Sequence, residues 1–155
     1  MDDIQQKLLP VFLQEVQDNL PAIESFLLAR ASMNCDQSAL DRAFRAMHTL
    51  KGTAGLIKAD SIRSIAMRVE NILEKHLHGH TCPTQIEYDA LLFAHKQVCV
   101  LIDCLKTGKS ASSEVMSGVT QALDLAEAFP GQSSSALKGQ KETSTGIDPF
   151  AEDTV

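Results

Sequence analysis

The chain has 155 residues, enough for one domain of ordinary size and too few for a multidomain enzyme. Only 5% of residues are aromatic and none is Trp, so the 44% that are hydrophobic must build a core mainly of Leu, Ile, Val, Ala and Met, which favours helices over a β-sandwich. Lys and Arg number 14 against 20 Asp and Glu, and the net charge of −6 repels a nucleic acid or an anionic membrane on average.

From residue 8 to 29, Leu13, Val16, Leu20, Ile23 and Leu27 recur at alternating steps of three and four, the apolar stripe of a long first helix. Pro10 suits its start, with residues 3 to 9 able to add a turn. Pro21 predicts a kink or a break, because proline in a helix interior costs about 3 kcal/mol. Asn34, Cys35 and Asp36 read as a turn, with Asp36 as N-cap of a second helix striped by Leu40, Ala43, Met47, Leu50, Ala54 and Ile57. A third helix starts behind Asp60, carried by Ile62, Ile65, Ala66, Val69, Ile72 and Leu73, and runs to a His/Gly-rich turn at residues 76 to 81. Thr84, just after Pro83, caps a fourth with Tyr88, Leu91, His95, Val98, Ile102 and Leu105 inward, and Gly108 closes it. A fifth spans residues 113 to 129 with Val115, Val119, Ala122, Leu123 and Ala126 on its face.

No stretch alternates with period two for long enough to make a strand. The expected architecture is all-α, an up-and-down antiparallel bundle with a four-helix core and a fifth C-terminal helix, occupying residues 1–130. After Pro130 the composition turns to Gly, Ser, Thr, Gln and Lys, and residues 131–155 read as a disordered tail or interdomain linker. The cysteines, Cys35, Cys82, Cys99 and Cys104, form no CxxC pair, and the start Met-Asp-Asp-Ile-Gln-Gln lacks the basic and apolar regions of a signal peptide. Reduced thiols and a cytoplasmic location are expected. The longest apolar run, residues 98 to 102, is far short of the roughly 20 residues of a membrane span, so no membrane insertion is expected.

The second helix carries the chemistry. At about 100° per residue its apolar stripe centres roughly 130° from His48, whereas Lys51, Gly52 and Gly55 fall within about 60° of that histidine on the outer face. Glycines inside a helix cost roughly 1 kcal/mol each relative to Ala, so two of them beside an outward imidazole suggest that something approaches closely. One reading is an accessible nucleophile, a neighbouring fixed cation and cleared bulk where a phosphorylated site of another protein docks. The other is plain: solvent-facing His and Lys are common, and small residues at 52, 54 and 55 let helices pack tightly. Geometry leaves both open.

The run Phe44-Arg45-Ala46-Met47-His48-Thr49-Leu50-Lys51-Gly52-Thr53-Ala54-Gly55 closely resembles the phosphoacceptor helix of histidine-containing phosphotransfer (HPt) domains. Glu70-Asn71-Ile72-Leu73 resembles the matching stretch in the N-terminal phosphotransfer domain of CheA-type chemotaxis kinases, and the likeness in helix order covers about residues 4 to 129. The resemblance implies that His48 is the phosphoacceptor, that Lys51 stabilises the phosphoryl group, and that Gly52, with Thr49 and Gly55, belongs to the face on which partners dock. It implies that Glu70 hydrogen-bonds one imidazole nitrogen and leaves the other free to attack. A carboxylate accepting from Nδ1–H fixes the tautomer and makes Nε2 the better nucleophile. Without the resemblance Glu70 is an ordinary solvated helix residue.

The implied function is phosphotransfer in a two-component, chemotaxis-like system. His48 takes a phosphoryl group from a histidine kinase ATP-binding domain or a phosphorylated receiver and passes it to an aspartate of a response-regulator receiver. The chain is then a monomeric phosphoryl carrier rather than an enzyme, binding no metal or cofactor of its own, with ATP and Mg²⁺ supplied by partner domains. The alternative is a helical docking or scaffold domain that never carries phosphate. Whether the natural chain continues into a kinase core stays open. The sequence departs from the family at Lys58, where a glycine usually ends the helix in a left-handed turn, so that turn is expected to differ. It departs again at Met67 and Arg68, where CheA-like domains carry an apolar residue and a second histidine, so kinase docking is expected to be altered.

Competing chemistry is weaker. No Gly-rich nucleotide segment follows His48, no acidic residue stands directly after it as in ordinary sensor kinases, and no Ser, Cys or carboxylate set suits a hydrolase. His76, His78, His80 and Cys82 alternate, but a closed zinc site needs four tetrahedral ligands and alternate residues of an extended loop point apart, so a polar turn is the preferred reading. His95 reads as a hydrogen-bonded core histidine, and Cys99 and Cys104 as small buried apolar residues.

Overall fold

The computed structural model describes residues 2–29, 35–109 and 113–128, with side chains only from residue 116 in the last stretch. Its helices are α1 (Asp3–Leu28), α2 (Gln37–Leu56), α3 (Asp60–Gly79), α4 (Gln85–Thr107) and α5 (Ser113–Ala128), and no strand occurs among the described residues. Neighbours in sequence pack side by side, α1 also meets α4, and α5 lies chiefly on α4 with a lighter contact to α3. Packed neighbours joined through residues 57–59 or 80–84 must reverse direction, so the bundle is up-and-down. Asn34, the side chain of Val115, Phe129 and the expected tail at 131–155 lie outside the described residues.

The periodic stripes become the core. Every expected α2 and α3 stripe residue is buried, from Leu40 to Ile57 and from Ile62 to Leu73. In α1, Val16, Ile23 and Leu27 are buried, and Phe12 and Phe26 join them. The Phe26 ring stacks on Tyr88 of α4 with centroids 5.6 Å apart. Each such side chain contributes roughly 1.5–3 kcal/mol on leaving water. Gly118 lets α5 come close to α4, since a Cβ there would sit 3.2 Å from the Phe93 ring.

The helix ends correct several expectations. α1 begins at Asp3 rather than Pro10, because Asp2 and Gln5 form a reciprocal capping box with both bonds 2.8 Å long. Gln5 Nε2 also donates to the Ile57 carbonyl at 2.8 Å, tying the start of α1 to the end of α2. Pro10 and Pro21 lie inside one uninterrupted helix. Both are exposed, so the carbonyl that loses its donor can turn to water while the buried face holds the helix together. Asp36 caps α2 as expected, accepting from the Ser38 N–H at 2.9 Å. Asp60 is the first residue of α3 rather than its cap; Ala59 takes the N-cap position with no side-chain bond.

Lys58 does not alter the turn after α2. It adopts the left-handed conformation itself, φ 59°, while its N–H bonds the Gly55 carbonyl (3.2 Å) and the Ala59 N–H bonds the Ala54 carbonyl (2.9 Å). That is a complete Schellman closure built without glycine, at a cost of roughly 1 kcal/mol. α3 ends the same way on His80, φ 53°, and α4 ends on a left-handed Gly108, φ 72°, whose N–H bonds the Cys104 carbonyl.

The expected polar turn at 76 to 81 is displaced. α3 continues through Gly79, and His76 is 2% exposed. Its Nε2 donates to Glu87 at 2.8 Å and its Nδ1 pairs with the Thr81 hydroxyl at 2.6 Å. Glu87, wholly buried, also accepts from Lys75 Nζ (2.6 Å) and the Thr84 N–H (2.8 Å). Burial pushes the Glu87 carboxyl up, but His76, Lys75 and the Thr84 amide outweigh it and bring the pKa to about 2. Thr84 and Glu87 form the capping box of α4 at the same time. His95 is buried as expected, its Nε2 3.3 Å from Glu24 while its Nδ1 has no partner. Cys99 and Cys104 are half-buried rather than fully buried.

Candidate functional site

The site lies where α2 and α3 run side by side. The buried stripe of α2 fixes its rotation, and His48, on the opposite side, turns 65% of its side chain to solvent. The neighbouring face of α3 presents Glu70, whose side chain is only 7% exposed. Nδ1 of His48 is hydrogen-bonded to one Glu70 oxygen, Oε2, and Lys51 Nζ donates to the other, Oε1, at 2.5 Å. Spacing explains the convergence: Lys51 stands three residues after His48, one turn along the same face, so one carboxylate bridges both.

Electrostatics fix the proton. Burial raises the Glu70 pKa, but hydrogen bonds from Lys51 and then His48 outweigh it, and the pKa falls below the ordinary glutamate value. An ionised carboxylate only accepts, so Nδ1 of His48 must be the N–H, and in the neutral ring the lone pair is then on Nε2. No described residue is hydrogen-bonded to Nε2. The arrangement is a half-buried ammonium, a buried carboxylate and a solvent-exposed imidazole held through Nδ1.

The sequence-expected docking residues occupy different settings. A Cβ at Gly52 would meet nothing within 4 Å, so the space beside His48 is open there. At Gly55 a Cβ would lie 3.3 Å from Cδ of Arg63, so that glycine gives room to a side chain of α3 within the bundle. Thr49 is half-buried. Phe44, one turn before His48, stacks its ring near the imidazole with centroids 6.3 Å apart at 27°. Sequence reasoning gave Phe44 no role, although its position four residues before His48 was the available signal.

Arg68, a departure from the CheA-like pattern, is occupied: it pairs with Asp124 at 2.7 Å and with Glu127, both on α5. Met67 beside it is 40% exposed. Of the alternating histidines, His76 is spent on Glu87 while His78 and His80 face solvent, and no group of three or more metal-ligating side chains converges among the described residues. No helix among the described residues is long and apolar enough to cross a membrane.

The family model described as "Hpt domain" matches residues 7–129, which include every residue of the His48 cluster. The chain belongs to the Hpt domain family. An Hpt domain is a phosphotransfer module of two-component signalling, a carrier of a phosphoryl group rather than a catalyst. The relatives agree with that assignment. The chain is 29% identical over 91 residues to a chemotaxis protein CheA of Halobacterium salinarum, covering 59% of this chain and 13% of that protein. It is 31% identical over 116 residues to a gliding motility regulatory protein of Myxococcus xanthus, covering 73% and 15%. It is 26% identical over 144 residues to a CheA of Rhizobium meliloti, covering 91% and 19%. This Hpt chain thus spans under a fifth of the length of each of these curated relatives.

Proposed function

We propose that His48 is the phosphoacceptor of this Hpt domain, taking a phosphoryl group from a histidine kinase ATP-binding domain or a phosphorylated receiver and passing it to a receiver aspartate. The Nε2 lone pair attacks phosphorus; an N–P bond forms as the P–O bond to the leaving nucleotide or aspartate breaks, and the second transfer reverses the roles. Glu70 is a positioning residue that holds the ring by Nδ1 and balances the positive charge the imidazole gains on attack. Lys51 keeps Glu70 ionised and puts a cation beside the incoming phosphoryl group. ATP and Mg²⁺ belong to the partner domains, and the open space at Gly52 with the Phe44 ring beside His48 forms the ground on which they dock.

The observation that carries this reading is the combination on one ring: exposure to solvent, Nδ1 bound to an ionised glutamate, and Nε2 open. Incubation with a histidine kinase and radiolabelled ATP, or with a phosphorylated receiver, tests it. Acid-labile label is expected on the wild type and absent from His48→Gln. Label that survives on His48→Gln, or none on the wild type with any donor, favours the scaffold alternative.

A further inference from the structure

Away from His48, the start of α2 and the linker between α3 and α4 bring a second reactive pair together. Gln37 Nε2 donates to the Thr81 carbonyl at 3.0 Å, clamping the two segments. Cys35 stands just before the N-cap of α2 and Cys82 just after Thr81, and the two thiols are neighbours, Cys82 acting directly on the Cys35 thiol. Both are free and partly exposed. We propose that Cys35 and Cys82 form a reversible disulfide with low-molecular-weight disulfides as the oxidant, closing a covalent ring around α2 and α3, the helices that carry His48 and Glu70.

The chemistry balances as thiol–disulfide exchange. One cysteine thiolate attacks the small disulfide, forming a mixed disulfide and releasing one small thiolate; the other cysteine then attacks the protein sulfur and releases the second. Two protein thiols are oxidised, the small disulfide is reduced to two thiols, and the protons pass to them through solvent. Burial and the neighbouring Cys82 sulfur push the Cys35 thiol up to about 12, so the Cys35 thiolate is scarce at neutral pH and exchange speeds as pH rises.

Selectivity follows from the fold. Cys99 and Cys104 are five residues apart on α4, about 140° around the helix, and do not face each other. The Cys99 sulfur lies instead 3.9 Å from Nε2 of His95. A ring enclosing two whole helices restricts the unfolded chain strongly, and a rise in Tm of roughly 10 °C is expected on oxidation.

The test treats the fully reduced chain with oxidised glutathione at mildly alkaline pH and maps peptides without reductant. A peptide cross-linked through Cys35 and Cys82, lost on adding dithiothreitol, supports the proposal. Free thiols at both positions, separate glutathione adducts on each, or cross-links involving Cys99, Cys104 or a second chain overturn it. The readout is taken on the wild type, so it does not depend on any variant folding.

Discussion

Two Lys–Glu–His clusters sit on this bundle, built from the same groups and differing in what surrounds the imidazole. In the first, Glu70 is buried and bonded to Lys51, but His48 stands in solvent with one ring nitrogen unengaged. In the second, Glu87 is buried and bonded to Lys75, but His76 is sealed inside with both nitrogens committed, to Glu87 and to Thr81. The second pins the end of α3 to the start of α4 and has no nitrogen to offer a substrate. A carboxylate–histidine contact therefore signals chemistry only where the second nitrogen is open; where it is closed, the same contact is a structural rivet.

The contrast can be broken most forcefully by removing each carboxylate in turn. Glu87→Ala leaves a buried imidazole and a lysine without their partner, and a loss of about 3–5 kcal/mol in unfolding free energy is expected from denaturant titration. Acid offers a second route. With the Glu87 pKa near 2 in the fold and near 4.5 when unfolded, its stabilisation of about 3 kcal/mol is complete above about pH 4.5 and lost as the pH falls toward 2. Thermal melts across that range should lose stability in the wild type and change far less in Glu87→Gln. Glu70→Ala is expected to cost only about 1 kcal/mol, since His48 and Lys51 can turn to water, while the initial rate of His48 labelling falls at least about tenfold. Equal stability losses for the two alanine variants would erase the distinction.

A smaller effect is expected at the helix end beside the first cluster. Lys58→Gly removes the left-handed strain but frees the unfolded chain, so a gain of roughly 0.5 kcal/mol is expected. A loss there would mean that the exposed Lys58–Asp2 contact, 3.7 Å long, outweighs the strain.

Much of the fold was legible because packing follows periodicity: the α2 and α3 stripes, the Asp36 and Thr84 caps and the Gly108 closure are local signals read within a few residues. What escaped was decided by distant partners. Pro10 and Pro21 remain inside α1 because its inner face is buried, which propensity does not register. His76 looked like loop because its partner, Glu87, belongs to the next helix, and Lys58 looked wrong for a left-handed turn because closure depends on backbone bonds that any side chain can permit. At the site, the outward direction of His48 and Lys51 followed from helix angles alone. The tie to Glu70 needed the resemblance, since nothing in the spacing of separate helices says which residues meet. Gly55 shared a face with Gly52 in the helical projection, yet only Gly52 opens onto empty space; the difference lies in Arg63 on α3, invisible from α2.

The central claim is that Glu70 holds Nδ1 and leaves Nε2 of His48 to take the phosphoryl group. Nitrogen-15 and phosphorus-31 NMR of the phosphorylated chain test it directly. The account predicts a phosphorus coupling to Nε2 of His48, with Nδ1 still protonated toward Glu70. A phosphoryl group on Nδ1, or on any other residue, contradicts it.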